Sequence, residues 1–404
     1  MKKFLKTNWK LDSHPSANMT GIPDSPVQNL LGRLAEAYPG REISDVQLRS
    51  NGLIYVHTNR GIEIAESFGI QSDAMVHQVA EALYLNQTME IWTDVSAAGS
   101  VDKMWELVKT RRVIDFSCDA GALGAPVRMR VQLHLSEGGM GLTTRWLRGT
   151  ISQLETLGLD SMISDSLREL MQRRFGLGLI TGPTGSGKST TLAAVLDWVR
   201  RNFPKHIVTV EDPIEYRYSA TMEDPNQPGV QIPSPSLVTQ QEVGKHTNSY
   251  QSGLKEVLRK TPNIILIGEI RDRETMETCI EAAQTGHFVL STLHTRGAVK
   301  TIDRILEFFP KEQQPAILHR LGETLTFVLS QGLLTGFNGR VLVTEYLQNT
   351  SESVAAGIRA YDGNATSLAD ALRYKGNLRW DQSLLQLYRG GAISENIFNA
   401  NLLG

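Results

Sequence analysis

The sequence predicts an α/β protein with a mixed α/β N-terminal domain, a second domain with a parallel-rich sheet, and a small helical C-terminal region. Three observations lead to this prediction. The chain has 404 residues, enough for two or three domains. Two-residue alternation of apolar and polar positions in its first part gives way to short apolar strands that alternate with helical segments. One such strand, Leu177–Thr181, runs directly into a glycine-rich loop and a helix.

Changes in this pattern divide the chain into five segments. Residues 1–25 are polar, contain several prolines and are expected to form a flexible leader. Residues 26–148 form the N-terminal α/β domain, and residues 149–159 form a linker that could act as a hinge. Residues 160–348 form the second domain, which contains the glycine-rich loop, and residues 349–404 form the helical C-terminal region.

In the N-terminal domain, helices and strands are mixed without regular alternation, which is typical of an α+β arrangement. The predicted helices are Val27–Ala37, Asp73–Leu85 and Val101–Lys109. The predicted strands are Val46–Leu48, Leu53–Thr58, Val113–Ser117, Val127–Leu135 and Gly141–Leu147.

In the second domain, apolar strands alternate with helices, which indicates a parallel sheet. The other predicted strands are Ile207–Val210, Ile264–Ile267 and Phe288–Thr292. The predicted helices are Ser189–Asn202, Tyr250–Lys260, Arg273–Gln284, Ala298–Glu307 and Glu312–Leu329, followed near the end by Asp381–Gly390 and Ser394–Leu402. The segment Thr221–Pro235 is rich in Pro and Gln and is expected to be a surface loop.

Composition excludes several classes of protein. The net charge of −2 gives no sign of direct, sequence-specific nucleic-acid binding. Cys118 and Cys279, the two cysteines, lie far apart and form neither a disulfide framework nor a Cys-x-x-Cys zinc site. No stretch approaches the roughly 18 apolar residues of a transmembrane helix. We therefore expect a cytoplasmic protein, for which any membrane role would come through partners.

The glycine-rich loop has the spacing Gly182-x-x-x-x-Gly187-Lys188-Ser189 between a strand and a helix, which is the phosphate-binding P-loop. Glycines let several backbone N–H groups approach phosphate oxygens, Lys188 supplies a positive charge, and the Ser189 hydroxyl can bind Mg²⁺. The predicted nucleotide-binding residues are Gly182, Pro183, Thr184, Gly185, Ser186, Gly187, Lys188, Ser189 and Thr190.

Acidic and histidine residues follow three other strands of the predicted sheet. Glu211 and Asp212 follow the second strand, Glu269 follows the third and His294 follows the fourth. Because the carboxyl ends of parallel strands meet at one edge, these side chains should converge near the P-loop. Together they supply the parts needed to bind a metal and orient a water for hydrolysis. The P-loop alone would be equally compatible with a kinase, a GTPase, an ABC protein or a motor.

At these segments the chain resembles the secretion, or traffic, ATPase superfamily, which includes the motors of type II secretion, type IV pili and type IV secretion. The match keeps the family order: P-loop, acidic box Glu211–Glu215, Walker B strand with Glu269, and histidine box ending at Thr295. It covers most of residues 120–335. The resemblance implies an N-terminal α/β domain, a RecA-like ATPase domain, assembly as a homohexamer, and ATP with Mg²⁺ as cofactors.

The resemblance also implies residue roles. Glu269 would polarise the attacking water, and His294 would sense the γ-phosphate. Glu211 would assist catalysis and, with Asp212 and Ser189, hold Mg²⁺ partly through water.

Arginines before the P-loop match the family as well. The family pattern Arg-Phe-Arg-Val-Asn stands here as Arg128-Met-Arg130-Val-Gln132, and a later strand carries Arg145. A planar guanidinium binds a γ-phosphate in a bidentate manner. Family membership would make Arg130 and Arg145, and less firmly Arg128, catalytic groups supplied by the N-terminal domain.

Three departures from the family pattern bear on the type of machine. Pro262–Asn263 replaces Pro-Asp before the Walker B strand, so Mg²⁺ would depend on Ser189 and the acidic box. Gln241 stands where pilus-retraction members typically have Arg before Glu242-Val243-Gly244, and Gly332 stands where Gln-Arg-Leu is usual. The four-cysteine zinc module of type II secretion members is absent from the sequence. These features favour an ATPase of type IVB secretion or conjugative plasmid transfer.

The predicted function is that of an ATP-hydrolysing hexameric motor for a type IV secretion, conjugation or type IV pilus apparatus, with inner-membrane and cytoplasmic components of that apparatus as partners. A pilus retraction motor proper is one alternative. A non-hydrolysing nucleotide-gated scaffold is another, motivated by Asn263. A small-molecule kinase also uses a P-loop, but the histidine box argues against it.

Overall fold

The computed structural model describes residues 26–41, 43–58, 60–88, 97–122, 125–147, 149–363 and 366–402. The predicted leader, residues 1–25, lies outside these described residues. The chain divides into two compact units, residues 1–147 and residues 148–404. No helix in the described part of the chain is both long and apolar enough to cross a membrane.

The first unit is a six-stranded antiparallel sheet with helices on one face. Its helices are α1 (Pro26–Ala37), α2 (Asp73–Thr88) and α3 (Ala97–Arg111). Its strands are β1 (Ile43–Arg49), β2 (Tyr55–Thr58), β3 (Gly61–Ile64), β4 (Val113–Ala122), β5 (Ala125–Ser136) and β6 (Gly139–Leu147). The strand order is β3-β2-β1-β6-β5-β4. Alternate residues such as Met129, Val131 and Leu133 of β5 enter the core with the helices, which leaves a polar outer face.

The second unit contains a seven-stranded sheet, a separate hairpin and ten helices among its described residues. The strands are β7 (Gly176–Thr181), β8 (His206–Glu211), β9 (Thr221–Asp224), β10 (Gln227–Pro233), β11 (Leu237–Glu242), β12 (Ile264–Ile267), β13 (Phe288–Leu293), β14 (Leu325–Gly336) and β15 (Gly339–Gln348). The helices are α4 (Ser161–Leu170), α5 (Lys188–Asn202), α6 (Tyr250–Val257), α7 (Arg273–Gln284), α8 (Ala298–Glu307), α9 (Gln314–Thr324), α10 (Glu352–Arg359), α11 (Thr366–Ala371), α12 (Trp380–Arg389) and α13 (Glu395–Asn401).

The large sheet has the order β11-β8-β12-β13-β7-β14-β15, and only the β14–β15 pair is antiparallel. Every residue of β7, β12 and β13 is buried, because helices cover both faces of the sheet. Helices α6 to α11 pack on one face, and α4 and α5 pack on the other. The predicted α/β class with a parallel-rich sheet is confirmed, and the carboxyl ends of its parallel strands lie at one edge.

Two predicted elements are wrong. The helix predicted over Glu312–Leu329 ends at Thr324, and the chain continues as the buried strand β14. Its apolar run Leu325–Leu329 satisfies a helix pattern and a central strand equally well, and pairing with β7 decides in favour of the strand. The loop predicted over Thr221–Pro235 contains the β9–β10 hairpin instead.

The segment predicted as a linker packs within the second unit. Leu154 is buried in that unit's core, and Glu155 forms an ion pair with Arg168 of α4. A short 3₁₀ helix spans Leu154–Thr156. A hinge between the domains therefore stays a prediction, and the packing of Leu154 places it nearer residue 149 than residue 159.

Candidate active site

The P-loop is shaped by glycines that no other residue could replace. Gly182, Gly185 and Gly187 have φ values of +143°, +77° and +90°. A Cβ atom at Gly182 would lie 2.2 Å from the carbonyl oxygen of Gln331 on β14. The loop is therefore closed onto the neighbouring strand, in a backbone conformation that glycine alone adopts without strain.

Gln331 supports the loop from β14, and sequence reasoning missed it. Its side chain is fully buried, and its Nε2 donates a hydrogen bond to the Ser186 carbonyl at 2.7 Å. The register Ser330 opposite Thr181 brings Gln331 beside the loop. One feature of the sequence could have indicated Gln331: the polar pair Ser330–Gln331 interrupts an apolar run that is typical of a buried strand.

Lys188 begins α5 and turns back over the loop. Its Nζ donates hydrogen bonds to the carbonyls of Gly182 at 2.7 Å and Pro183 at 3.0 Å. Burial lowers the pKa of Lys188, and the negative charges of Glu269 and Glu215 oppose that shift. The ammonium thus lies inside the cradle where phosphate oxygens would replace the carbonyl oxygens as its partners.

The start of α5 is open to an anion. Gly187 precedes the helix and provides no side-chain cap, so the first N–H groups can point at phosphate. The Ser189 side chain is exposed, whereas Thr190 Oγ1 lies 2.9 Å from the Tyr216 hydroxyl. The Ser189 hydroxyl is therefore accessible to a metal ion, whereas Thr190 helps to hold the segment that follows the acidic box.

Glu269 and His294, predicted separately from two strands, are in contact. His294 Nε2 lies 3.2 Å from Glu269 Oε2. Arg271 forms an ion pair with the other oxygen of Glu269. The side chain of Glu269 is 16% exposed and that of His294 is 52% exposed. A carboxylate held from both sides in this way is oriented before any substrate arrives, and Arg271 is a site residue that the sequence analysis missed.

The acidic box lies beside Glu269 because β8 and β12 are neighbours. Val210 pairs with Ile267, and the Gly268 N–H donates to the Val210 carbonyl at 2.8 Å. The next residues on the two strands, Glu211–Asp212 and Gly268–Glu269, therefore share one part of the sheet edge.

Glu211 is the more enclosed of the two acidic-box residues. Its Oε1 accepts hydrogen bonds from Thr209 Oγ1 at 2.7 Å and Gln240 Nε2 at 3.1 Å. Burial raises the pKa of Glu211 to about 7, although these two hydrogen bonds oppose the shift. Asp212, by contrast, is exposed. The pair thus combines a carboxyl that can hold or release a proton near neutral pH with one that faces solvent.

Glu242 fixes the backbone after the acidic box. It accepts a hydrogen bond from the Ile214 N–H at 3.1 Å. It also pairs with Lys245 at 2.9 Å, and both side chains are only 4% exposed. This buried pair fixes Glu242 beside the acidic box.

The predicted metal ligands fit a metal that arrives with nucleotide. Ser189, Glu211 and Asp212 supply hydroxyl and carboxylate oxygens, the donors that Mg²⁺ prefers alongside water and phosphate. No group of three or more His, Cys, Asp and Glu side chains in the described part of the chain is arranged to hold a metal by itself. The geometry thus suits Mg²⁺ bound largely through phosphate and water.

Asn263, the departure from the family pattern that precedes the Walker B strand, lies away from the predicted metal ligands. Asn263 precedes β12, and its Oδ1 accepts a hydrogen bond from the His206 N–H at the start of β8, at 2.7 Å. Both residues lie at the amino edge of the sheet, whereas the P-loop follows β7 at the carboxyl edge. The residue joins two strand beginnings and takes no part in metal binding.

Arg130 and Arg145 lie directly opposite each other on β5 and β6 of the first unit. Arg145 is 61% exposed, and its Nε pairs with Asp45 at 2.8 Å. The side chain of Arg130 forms no ion pair or hydrogen bond with any residue that the structure describes. Arg128 differs: it is buried and bonds to Asp119 and Ser117, which makes it a structural residue. Whether Arg130 and Arg145 act at a nucleotide site stays a prediction.

Comparison with known proteins places these features in a family. A family model described as type II/IV secretion system protein matches residues 122–383. A twitching motility protein of Neisseria gonorrhoeae is 37% identical over 286 residues, which cover 70% of this chain and 70% of that protein. The chain spans about two thirds of the length of several curated relatives that it matches.

Two solved structures resemble the chain along most of its length. The crystal structure of the pilus retraction motor PilT with bound ADP gives a TM-score of 0.72 at 31% identity, and the match covers 89% of this chain and 93% of that one. The ATPase DotB of Legionella pneumophila gives 0.70 at 26% identity, with 90% and 92% covered.

Proposed function

Because the chain belongs to the type II/IV secretion system protein family, we propose that it hydrolyses ATP at the carboxyl edge of the large sheet and thereby powers a secretion, conjugation or pilus apparatus. One observation carries the proposal: Glu269 is held by His294 and Arg271 at the same edge that presents Lys188 and the P-loop. A cradle for phosphate and an oriented carboxylate are together the parts of an NTP-hydrolysing site.

Each residue has a task in this scheme. The P-loop N–H groups hold the phosphates, and Lys188 exchanges its carbonyl partners for β- and γ-phosphate oxygens. Glu269 orients the attacking water, while His294, already bonded to Glu269, links that carboxylate to the state of the γ-phosphate. When bound, Mg²⁺ would neutralise phosphate charge, held by Ser189 and through water by Glu211 and Asp212.

We further propose that the protein acts as a homohexamer in which Arg130 and Arg145 complete the site of an adjacent subunit. Two like charges directly opposite each other on a sheet destabilise it. An anion between the two guanidinium groups would remove that repulsion. A γ-phosphate presented by a neighbouring subunit is such an anion, and stabilising its developing charge is the task of an arginine finger.

The alternatives now have less support. The scaffold reading depended on Asn263, which lies at the opposite edge from the P-loop. PilT and DotB resemble the chain almost equally, so the comparisons support both the secretion and the retraction reading. We favour secretion or conjugation because the chain departs from the family pattern at Gln241 and Gly332. A Cβ at Gly332 would lie 2.8 Å from the Trp380 ring of α12, so the glycine fits this packing. The working location is the cytoplasmic side of the inner membrane, reached through partner proteins.

A phosphate-release assay tests the proposal. Lys188→Ala should lose nucleotide binding and turnover together, because the main positive charge of the cradle is removed. Glu269→Gln should bind nucleotide normally but turn over at least ~10²-fold more slowly, because it retains shape and loses the oriented charge. Wild-type protein that binds Mg·ATP without releasing phosphate, or Glu269→Gln at wild-type turnover, would contradict the proposal.

A further inference from the structure

Tyr250 is the first residue of α6, and its backbone is held firmly at the sheet edge. Ser249 Oγ accepts from the Ser252 N–H, and Ser252 Oγ accepts from the Ser249 N–H, both at 3.0 Å. The helix also lies close to β8, since a Cβ at Gly253 would be 2.8 Å from a Val210 methyl group. The ring of Tyr250 packs against the core of the second unit. Its position is thus fixed by a reciprocal cap at one end and by packing at the other.

The hydroxyl of Tyr250 lies at the candidate active site. A Cβ at Gly268 would be 2.9 Å from this oxygen, so the hydroxyl lies beside the backbone that precedes Glu269. Burial and the negative charges of Asp212 and Glu269 raise the pKa of Tyr250, and Arg271 opposes them. The hydroxyl therefore keeps its proton at neutral pH and is available as a donor among carboxylates.

The three buried tyrosines among the described residues of this unit each have a partner for the hydroxyl, unlike the partly buried Tyr250. The Tyr346 hydroxyl lies 2.7 Å from Ser166 Oγ, that of Tyr361 donates to Asp303, and that of Tyr216 meets Thr190. The Tyr250 hydroxyl forms no hydrogen bond with any residue in the described part of the chain. A phenylalanine ring would fill the same space, so packing explains the ring of Tyr250 and leaves its hydroxyl unexplained.

We infer that Tyr250 is a positioning residue whose hydroxyl donates a hydrogen bond to the carboxylate of Asp212 when nucleotide is bound. Glu269 already has His294 and Arg271 as partners, whereas the Asp212 side chain contacts no hydrogen-bonding or ion-pair partner among the described residues. Asp212 is also the charged group that acts most strongly on the hydroxyl.

This hydrogen bond would restrain Asp212 relative to Glu269. The two carboxylates follow neighbouring strands and repel each other, and a donor on Asp212 reduces that repulsion while fixing its oxygens toward the metal and its water. The inference rests on the proposed ATPase function, because it assigns a task within that site.

The test compares Tyr250→Phe with Tyr346→Phe, which removes a buried hydroxyl of the same unit away from the site. Loss of a group that orients a metal-binding residue typically costs tenfold or more in metal affinity or activity. We expect Tyr250→Phe to lower kcat about tenfold with KM for ATP within about twofold of wild type. Tyr346→Phe should leave kcat unchanged, even if it lowers the melting temperature.

Two further measurements separate positioning from packing. In an Asp212→Asn background, Tyr250→Phe should cause no additional loss of kcat, because the hydroxyl acts through that carboxylate. In a thermal-shift titration with ADP, Tyr250→Phe should need about tenfold more Mg²⁺ for half-maximal stabilisation. Equal Mg²⁺ requirements, or a full additional loss in the Asp212→Asn background, would overturn the inference. If wild-type protein releases no phosphate, the proposed function fails, whereas the thermal-shift titration still decides the role of Tyr250.

Discussion

The two regions that carry the predicted catalytic charges are built in opposite ways. At the carboxyl edge of the large sheet, two of the key charged side chains have partners within the same unit: Lys188 bonds to loop carbonyls, and Glu269 contacts Arg271 and His294. On the outer face of the first unit, Arg130 faces Arg145, and Asp45 is their ion-pair partner among the residues that the structure describes.

This difference indicates where each region obtains its stability. The sheet edge is preorganised by internal contacts and can bind nucleotide with little rearrangement. Two like charges face each other in the arginine pair, and we expect an anion from elsewhere to relieve their repulsion. Substitutions can therefore separate the two regions: losses at the arginines should appear in turnover and spare stability, whereas changes at the sheet edge should affect both.

The largest effect is expected at the arginine pair. Arg130→Ala and Arg145→Ala should each lower kcat by ~10²-fold or more, because an arginine finger acts on charge that develops in the transition state. Nucleotide binding should change little. The melting temperature of Arg130→Ala should equal or exceed that of wild type, since the substitution removes a like-charge pair.

Arg111→Ala is the matched control for this prediction, because Arg111 is an exposed arginine of the same unit at the end of α3. It should retain wild-type turnover. If Arg130→Ala instead unfolded the first unit and kept its turnover per folded molecule, the pair would be structural and the comparison between the two regions would fail.

A smaller effect is expected from Glu211 in the absence of nucleotide and Mg²⁺. Its folded-state pKa of about 7 lies above the ordinary value of 4.5, so the folded state binds more protons between these pH values. Folding stability should fall as pH rises through this window, by up to about 3 kcal/mol, and the penalty should be complete above pH 7.

Glu211→Gln keeps an acceptor for Thr209 and Gln240 but cannot ionise. Unfolding of the variant and the wild type, followed from pH 5 to pH 8, should therefore diverge, with the variant gaining relative stability as pH rises. Parallel curves would show that the Glu211 carboxyl is ionised without penalty, and that the acidic box is less preorganised than the contacts suggest.

The smallest effect is expected from Asn263→Asp. An aspartate oxygen can still accept the His206 N–H, and the residue lies at the sheet edge opposite the P-loop. The Mg²⁺ concentration for half-maximal ATPase activity should stay within about twofold of wild type, because residue 263 is not among the residues proposed to bind or orient the metal. A fivefold or greater change would mean that the amino edge communicates with the metal.

Local sequence patterns were sufficient where chemistry and periodicity coincide. The spacing of the P-loop glycines predicts their positive φ values. A parallel sheet brings together residues that follow neighbouring strands, such as Glu269 and His294. Periodicity failed at Leu325–Leu329, where only pairing with β7 distinguishes strand from helix. Resemblance to the family pattern drew attention to Asn263 as a metal-site departure, whereas its place before β12 puts it at the amino edge of the sheet, opposite the P-loop.

The supporting residues could not be found from sequence for a further reason. Gln331, Gln240 and Tyr250 contact segments distant in the chain, and a single polar residue in a strand or at a helix start has many ordinary explanations. Their partners become visible only when the strand register is known.

The most direct test of the central claim, that one subunit's arginines complete another subunit's nucleotide site, mixes two inactive variants. Arg145→Ala subunits retain Glu269, and Glu269→Gln subunits retain Arg145. In an equal mixture of a ring with random subunit order, roughly a quarter of the interfaces would combine both intact groups. The account predicts phosphate release from the mixture well above that of either variant alone. A mixture no more active than its components, under conditions where subunits demonstrably exchange, would contradict it.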